Sequence, residues 1–388
     1  MDFELNEEQM MFKDTVRRLM ENQCPFDSRK PVIDAGSFSE EHWHLFAEQG
    51  LLGLALPEEC DGLGYSAIET ALVTEEIGRV LCVEPYTPIA VVAAQTLLAC
   101  NDETSRALLS NVSNGSEKPV LAHTEATARG RVSHVTTRAT RNGEAGWTLN
   151  GRKTSVVAGN IADHLIVSAR TSGDINDTGG ISLFLVNPTA KGVSKKAFRM
   201  IDNRWAIELD LNDVTVSEDD LLGSPDQGID ALLRGHAHTM IAEAAEAIGV
   251  MEQALWLTRD YLKVRKQFGQ TLSNFQSLQH RMSEMLIELE LSRGMLHYGL
   301  SSMTLDQQRQ QKALSAMKAH IGRSGQFVCG QAIQLHGGIG VTEEYTVGHY
   351  FKRMTLINGS QGSTRYHFEQ LAELERTSPP ASDIIMPA

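Results

Sequence analysis

The chain has 388 residues, of which 41% are hydrophobic and 22% charged, and its formal net charge is −14. This length accommodates two or three domains. The acidic balance argues against a general nucleic-acid-binding role, because phosphate contacts require clustered lysine and arginine. Five widely spaced cysteines without a C-x-x-C pair favour free thiols in a reducing compartment over a disulfide framework or a zinc site.

The N-terminal segment lacks both parts of a secretion signal, the basic region and the apolar region that follows it. No stretch approaches the ~18 consecutive apolar residues that are needed to cross a bilayer. We therefore expect a cytoplasmic protein without a membrane span.

Residues 1–117 are predicted to form a helical domain. Asn6 and Gln9 have the spacing of a capping box, and Ser66 with Glu69 repeats it before a second apolar run at helical spacing. Loops are expected at Pro57–Gly64 and Pro85–Pro88, where proline and glycine interrupt the helical pattern.

Residues 118–225 are predicted to form a middle β domain, either a barrel or a sandwich. The segment from Trp147 predicts a strand that enters a hairpin turn at Asn150-Gly151. Further β-like runs begin at Leu165, Ile181 and Ile207, and the last alternates strictly between apolar and polar residues.

Residues 226–375 carry long apolar stripes at helical spacing, which predict a C-terminal four-helix bundle. Residues 376–388 are expected to form a loose tail. The fold class is therefore α+β and multidomain: an N-terminal helical domain, a middle β domain and a four-helix bundle.

Two segments of the bundle have features of a nucleotide-binding site. The helix before Gly269 is predicted to end there, with Arg265 in its last turn, where a guanidinium can hold a diphosphate through two hydrogen bonds. In the second segment, Gln334–Gly340, Gly337 and Gly338 allow a ligand to approach the backbone closely.

In this order and at this distance, the two segments resemble the acyl-CoA dehydrogenase family. The resemblance covers nearly the whole chain and includes Met1–Gln9, Gly50–Glu59 and Val214–Gly223. It implies that FAD lies between the β domain and the bundle, and that its adenine–diphosphate end reaches a neighbouring subunit. The FAD contacts implied by the resemblance are Thr124, Arg265, Phe268, Gln276, Gln334, Gly337, Gly338 and Ser363. It implies no metal ligands.

The chain departs from the family pattern in the β domain. Arg129 and Arg131 replace a small residue and an acid, and they are interpreted either as exposed loop charges or as contacts to a phosphate or an acidic substrate group. Ser155–Val157 replaces the tripeptide that lies along the flavin in the family, so both its aromatic residue and its hydroxyl are missing.

The largest departure concerns the base that removes the α-proton of an acyl thioester. One position that the family uses for it holds Gln361, an amide that cannot usefully accept a proton. The other holds Thr239, on the first long helix of the bundle. Glu243 lies one turn further along the same face and is the candidate base. Alternatively, Glu243 and Glu246 belong to the polar face of an amphipathic helix.

These features leave four functional hypotheses. The chain is a stand-alone FAD-dependent acyl-CoA dehydrogenase that uses Glu243, or one subunit of a heteromeric acyl-CoA dehydrogenase in which an unlike subunit supplies the base. The segment Gly348–Arg353 favours the second, because it resembles the branch that contains pimeloyl-CoA and steroid side-chain enzymes. The other two are a flavin-dependent monooxygenase and a non-catalytic flavin-clamp subunit. The resemblance further implies a homo- or hetero-tetramer (a dimer of dimers), an acyl-CoA substrate and an electron-transfer flavoprotein as acceptor.

Overall fold

The computed structural model describes residues 5–143 and 146–377. Its N-terminal part is helical, as predicted, and the two predicted capping boxes close at Asn6 and at Ser66. The helices of this part are α1 (Glu7–Gln23), α2 (Arg29–Asp34), α3 (Glu40–Glu48), α4 (Ala67–Val80), α5 (Ala94–Cys100) and α6 (Glu103–Ser113).

One predicted loop of this domain is shorter than expected. A π-helical segment, Thr87–Ala93, begins inside the expected loop Pro85–Pro88 and leads directly into α5. Pro88 lies in the first turn of this segment. Proline is tolerated there because the missing N–H would have no helical partner in any case.

The middle part of the chain forms one mixed sheet. Its strands are β1 (Pro119–Ala122), β2 (Arg138–Arg141), β3 (Trp147–Val157), β4 (His164–Arg170), β5 (Ile181–Val186), β6 (Val193–Arg199), β7 (Trp205–Val216) and β8 (Leu221–Leu222). Their order is β6-β7-β3-β2-β4-β5-β8, and β1 adds to β4 in parallel. Three of the strands cover the three predicted β-like runs.

The predicted hairpin turn at Asn150-Gly151 is wrong, because β3 continues through both residues. A bulge against β7 shifts the register between Leu149 and Gly151 instead. Asn150 exchanges two hydrogen bonds of 2.9 Å with Asp213 of β7, one through its side-chain nitrogen and one through its side-chain oxygen. Those contacts give the Asn-Gly pair a partner on the neighbouring strand, which an isolated turn would lack.

The C-terminal part contains α7 (Gly228–Val264), α8 (Gln276–Ser301), α9 (Gln307–His336), α10 (Val347–Gly359) and α11 (Thr364–Thr377). The last helix extends two residues into the segment that was predicted to be a loose tail. The rest of that segment, residues 378–388, lies outside the described residues. No helix of the described part combines the length and the apolarity needed to cross a membrane.

The end of α7 differs from the prediction. The helix stops at Val264, and Arg265 has an extended backbone. Gly269 is not a helix cap: with Phe268 it forms the turn between β9 (Lys266–Gln267) and β10 (Gln270–Thr271), and both turn residues have positive φ. Two consecutive positive φ values suit a tight two-residue hairpin, whose twist matches that of its strands.

Helix α4 of the first domain lies against α7 at a close crossing. A Cβ atom added to Gly78 would lie 2.1 Å from the Glu246 carbonyl oxygen, and one added to Gly249 would lie 1.9 Å from the Glu75 carbonyl oxygen. The two glycines therefore allow the backbones to touch. This crossing fixes the stretch of α7 that carries Glu243 and Glu246.

Candidate active site

A cavity of about 170 Å³ lies where the sheet meets α7 and α10. The sheet side contributes Thr124, Ser155 and Val157, all of them small side chains. Four residues of the first half of α7 form the opposite side: Leu232, His236, Thr239 and Glu243. The cavity is therefore bounded by two domains, which is a common place for a small-molecule site.

Glu243 carries the only carboxylate among the described residues that line this cavity. Its side chain is buried and accepts a hydrogen bond from the Ser360 hydroxyl. Burial raises the pKa of Glu243, although the nearby Lys318 charge and the Ser360 hydrogen bond oppose this effect. A buried carboxylate with a raised pKa is a stronger base than an exposed one.

Both positions that the family resemblance assigns to the base line the same cavity. Gln361 is on its edge with positive φ, and its Oε1 accepts a hydrogen bond of 2.7 Å from His236 Nδ1. The Thr239 hydroxyl donates to the Gly235 carbonyl oxygen at 2.6 Å, inside its own helix. Neither side chain can act as a carboxylate base.

The two histidines of the cavity are neutral at physiological pH. Burial lowers the pKa of His236 to about 4 and that of His123 to about 3. His123 Nδ1 lies 2.8 Å from the Ser168 hydroxyl, which fixes the orientation of the ring. The cavity therefore gains hydrogen-bonding groups from these residues without gaining positive charge.

A buried network of charges lies behind Glu243, one helical turn further along α7. Glu246 accepts hydrogen bonds from Arg353 of α10, at 2.7 and 2.6 Å, and from Arg204 at 2.8 Å. Arg353 also donates to Asp202 at 3.1 Å. The two arginine charges hold the pKa of Glu246 at about 2, against the opposing effect of burial. Glu246 is thus an ion-pair partner, whereas Glu243 forms no hydrogen bond or ion pair with an arginine of the described part of the chain.

The sheet side of the cavity rests on a second buried ion pair. Lys153 Nζ donates to Glu125 at 2.8 Å, and the backbone N–H groups of Thr136 and Thr137 donate to the same carboxylate. Thr124, next to Glu125, accepts from the Thr154 backbone N–H at 2.8 Å. The pair thereby anchors the segment that presents Thr124 to the cavity.

The residues expected to contact the adenine and diphosphate of FAD are all exposed at the other end of the bundle. They are Arg265, Phe268, Gln276, Gln334, Gly337 and Gly338. The ring of Tyr261, one turn before Arg265, stacks on His336 with 4.5 Å between ring centroids, so both segments lie at the same end. At ~1.5 Å per residue, Arg265 is roughly 40 Å along α7 from His236. The exposed residues and the cavity therefore lie at distant places of the same chain.

The remaining predicted site residues lie near the cavity. Ser363 is exposed two residues after Gln361, at the start of α11. Arg129 and Arg131 are exposed loop residues, and Arg131 lines a second cavity of about 440 Å³. His236 lines both cavities, which places the second beside the first.

Sequence reasoning missed four residues of the site: His123, His236, Arg204 and Arg353. A signal for His236 was present, because it precedes Glu243 by two helical turns and so lies on the same face of α7. Arg204 precedes β7 and Arg353 lies on α10, and no local pattern in either segment indicates that both meet Glu246.

Family models for the N-terminal, middle and C-terminal domains of acyl-CoA dehydrogenase match residues 6–116, 120–214 and 226–374. "Probable acyl-CoA dehydrogenase YngJ" of Bacillus subtilis is 29% identical over 94% of this chain and 97% of its own length. "Caffeyl-CoA reductase-Etf complex subunit CarC" of Acetobacterium woodii is 26% identical over 93% of this chain and 96% of its own length.

A solved structure of a variant of the Tcur3481-Tcur3483 steroid ACAD is similar to this chain in fold and in sequence. It is 30% identical, with a TM-score of 0.85 over 95% of this chain and 98% of that one. The chain therefore belongs to the acyl-CoA dehydrogenase family, whose members are flavoprotein oxidoreductases that act on CH–CH bonds.

Proposed function

We propose that the chain is a FAD-dependent acyl-CoA dehydrogenase that introduces an α,β double bond into an acyl thioester, with Glu243 as the base. The observation that carries this proposal is the position of Glu243. Among the described residues that line the cavity, only Glu243 has a carboxylate. The same cavity is lined by Gln361 and Thr239, which occupy the two positions that the family uses for the base. Proton transfer to a positioned base contributes ~10²–10⁴-fold to such a step.

The residues present fit a flavin at the sheet side of this cavity. Thr124, Ser155 and Val157 have small side chains, which leave space between the sheet and α7. Bound FAD supplies the acceptor for the hydride that leaves the β-carbon. Glu243 takes the α-proton, and His123 and His236 stay neutral because burial lowers their pKa values.

We further propose that a neighbouring subunit completes the FAD site. Support comes from the exposure of the clamp residues and from their distance to the cavity within one chain. Phe268 is 89% exposed, and Val264 and Val341, each 74% exposed, add apolar surface at the same end of the bundle. Apolar side chains left this open commonly mark an interface. Ser363, near the cavity, would contact the FAD from the first subunit.

The neighbour is either a second copy or an unlike subunit. The name of the similar solved steroid ACAD, Tcur3481-Tcur3483, contains two components. This name supports the second alternative, an unlike subunit. The name of the CarC relative links that protein to an Etf complex, which supports an electron-transfer flavoprotein as acceptor. We place the CoA phosphates in the second cavity, where Arg131 provides positive charge.

The test is an anaerobic titration of the purified chain, alone and together with any similar protein encoded beside it. We expect flavin absorbance in the preparation and bleaching of that absorbance by some members of a panel of acyl-CoA thioesters. Bleaching by the chain alone supports the homomeric enzyme, and bleaching only with the unlike partner supports the heteromer.

Three results would overturn the proposal. Absence of bound FAD in both preparations removes its basis. Bound FAD that no acyl-CoA bleaches in either preparation indicates a non-catalytic clamp subunit. A hydroxylated product formed from reduced flavin and oxygen indicates a monooxygenase on the same fold.

A further inference from the structure

Two thiols, an imidazole and a carboxylate meet in the N-terminal domain, and none of them lines the cavity that contains Glu243. Cys24 follows α1, His42 lies in the first turn of α3, and Cys82 and Glu84 lie in the segment after α4. Cys24, Cys82 and Glu84 are buried, whereas the His42 side chain is 15% exposed. Three separate elements therefore contribute to one cluster, the Cys–His cluster of Cys24, His42, Cys82 and Glu84.

The two distances from the Cys24 sulfur match those between ligands of a tetrahedral zinc site. Cys24 Sγ lies 3.8 Å from Cys82 Sγ and 3.8 Å from His42 Nδ1. Zinc bonds of about 2.3 Å to sulfur and about 2.1 Å to nitrogen set S···S and S···N separations of about 3.8 and 3.6 Å. The ligating atoms of Cys24, His42 and Glu84 all lie within 4.8 Å of one another, and Cys82 adjoins this group of three through Cys24 and Glu84.

The carboxylate of Glu84 joins the other groups. One of its oxygens is 2.7 Å from His42 Nδ1, and the other accepts from the Cys82 thiol at 2.7 Å. Within the described residues, His42 is the ion-pair partner of Glu84, and no lysine or arginine bridges to it. Both 2.7 Å contacts are hydrogen-bond lengths, so a zinc ion would displace the shared protons and move these ligand atoms about 3.3 Å or more apart.

We propose that Cys24, His42, Cys82 and Glu84 bind one zinc ion. Binding releases the two thiol protons to solvent, and neutral His42 and ionised Glu84 complete the ligand set. The partial exposure of His42 provides the route by which the ion enters. The sequence argued against zinc because it has no C-x-x-C pair, but folding brings together two cysteines that are 58 positions apart.

The zinc site would be structural, because its four protein ligands leave no open position. It would tie α1, α3 and the segment after α4 together close to the cavity. The Cys82 carbonyl oxygen accepts a hydrogen bond of 2.8 Å from Arg204, which also contacts Glu246. The ligand segment is thereby connected to the charge network behind Glu243.

The test measures metal in the full-length chain. Protein purified without chelators should contain about one zinc per chain by mass spectrometry. After removal of zinc, titration with Co²⁺ should give a sulfur-to-cobalt charge-transfer band and the visible bands of a tetrahedral site, saturating at about one equivalent.

Cys24→Ala and Cys82→Ala should abolish the charge-transfer band or weaken it strongly, whereas Cys60→Ala should leave it unchanged. Cys60 is the matched control because it is buried in the same domain and lies outside the cluster. His42→Gln changes the partly exposed ligand and should weaken Co²⁺ binding about tenfold or more in a protein that still folds, as judged by circular dichroism.

Three outcomes would overturn the proposal: wild-type protein that binds neither zinc nor Co²⁺, bands that survive in both cysteine variants, or a Cys24–Cys82 disulfide in the protein as purified.

Discussion

Glu243 is a carboxylate that the fold keeps away from direct arginine contacts, although Arg353 lies nearby. Arg353 and Arg204 are both bound to Glu246, one turn further along the helix. The two acids therefore have opposite properties: the pKa of Glu246 is lowered by its ion pairs, and the pKa of Glu243 is raised by burial. Neighbouring carboxylates whose pKa values are pushed apart are typical of sites that use one of them as a base.

Glu243→Gln should reduce the rate of flavin bleaching by an acyl-CoA by about 10²–10⁴-fold without loss of bound FAD. The amide preserves the shape of the side chain but cannot accept the proton. The measurement is stopped-flow absorbance under anaerobic conditions. Asp230→Asn is the control, because Asp230 is an exposed acid of the same helix outside the cavity.

The pH dependence gives a second readout of Glu243. Only its ionised form accepts a proton, so the wild-type rate should rise with pH through a pKa above the ordinary value of 4.5. The Glu243→Gln variant should lack this rise. A rate that is unchanged in the variant, or an unchanged pH profile, would show that another group is the base.

Gln361→Glu should restore activity to the Glu243→Gln variant. The new carboxylate would line the same cavity and could keep the hydrogen bond to His236 Nδ1. We expect the bleaching rate of the double variant to exceed that of Glu243→Gln by about tenfold or more. Gln361→Asn in the same background is the control. No gain in a double variant that retains its FAD would mean that residue 361 does not face the reacting carbon.

At the scale of elements, the crossing of α4 and α7 positions the part of α7 that carries Glu243. The crossing depends on backbone contact at Gly78 and Gly249, and a larger residue at either position would force the helices apart. The charge network behind Glu243 reaches from α7 to α10 and to the start of β7, so a change of this spacing would also affect the cavity.

Gly249→Ala should lower the free energy of unfolding by about 1–3 kcal/mol, because its Cβ would lie 1.9 Å from the Glu75 carbonyl oxygen. Gly294→Ala on α8 is the matched control, since a Cβ there meets nothing within 4 Å. This control should be stabilised by roughly 0.5–1 kcal/mol, the usual gain of alanine over glycine in a helix. Denaturant unfolding measures both, and equal stabilities would contradict a close crossing.

At the scale of the whole molecule, the length of α7 separates Glu243, the proposed base, from Arg265, the predicted phosphate contact. Glu243 lies in its first half, and Arg265 follows its last residue. If one FAD uses both residues, they come from different subunits. Each FAD site is then formed by two subunits, with Glu243 from one protomer and Arg265 from its neighbour.

Arg265→Glu should weaken FAD binding by about 10- to 100-fold, because it removes a charge-assisted contact to the diphosphate. Lys263→Glu, at an exposed position in the last turn of α7, is the control.

If the assembly contains dimers of this chain, co-expression of Arg265→Glu with Glu243→Gln should recover about a quarter of the wild-type activity. Half of the dimers are then hybrids, and each hybrid has one intact site of two. Absence of recovery would contradict a site shared between copies of this chain.

Local sequence patterns predicted much of the secondary structure. The capping boxes at Asn6 and Ser66 form as expected, because a cap depends on residues within one helical turn. The Asn150-Gly151 pair misled the prediction, since its partner Asp213 is far along the chain. Arg265 was placed inside a helix that ends one residue before it, a shift that is common when a helix boundary is predicted.

The sequence by itself determined the order of helices, sheet and bundle, the family resemblance and the loss of the usual carboxylate at Gln361. These depend on residue identity and on spacing along a short stretch of chain. Only the tertiary structure decided that Glu243 is buried in the cavity, that Glu246 is bound by two arginines, and that Cys24 lies beside Cys82. The physical reason is that burial, charge pairing and metal-ligand geometry are set by groups from distant segments, which meet only when the domains pack.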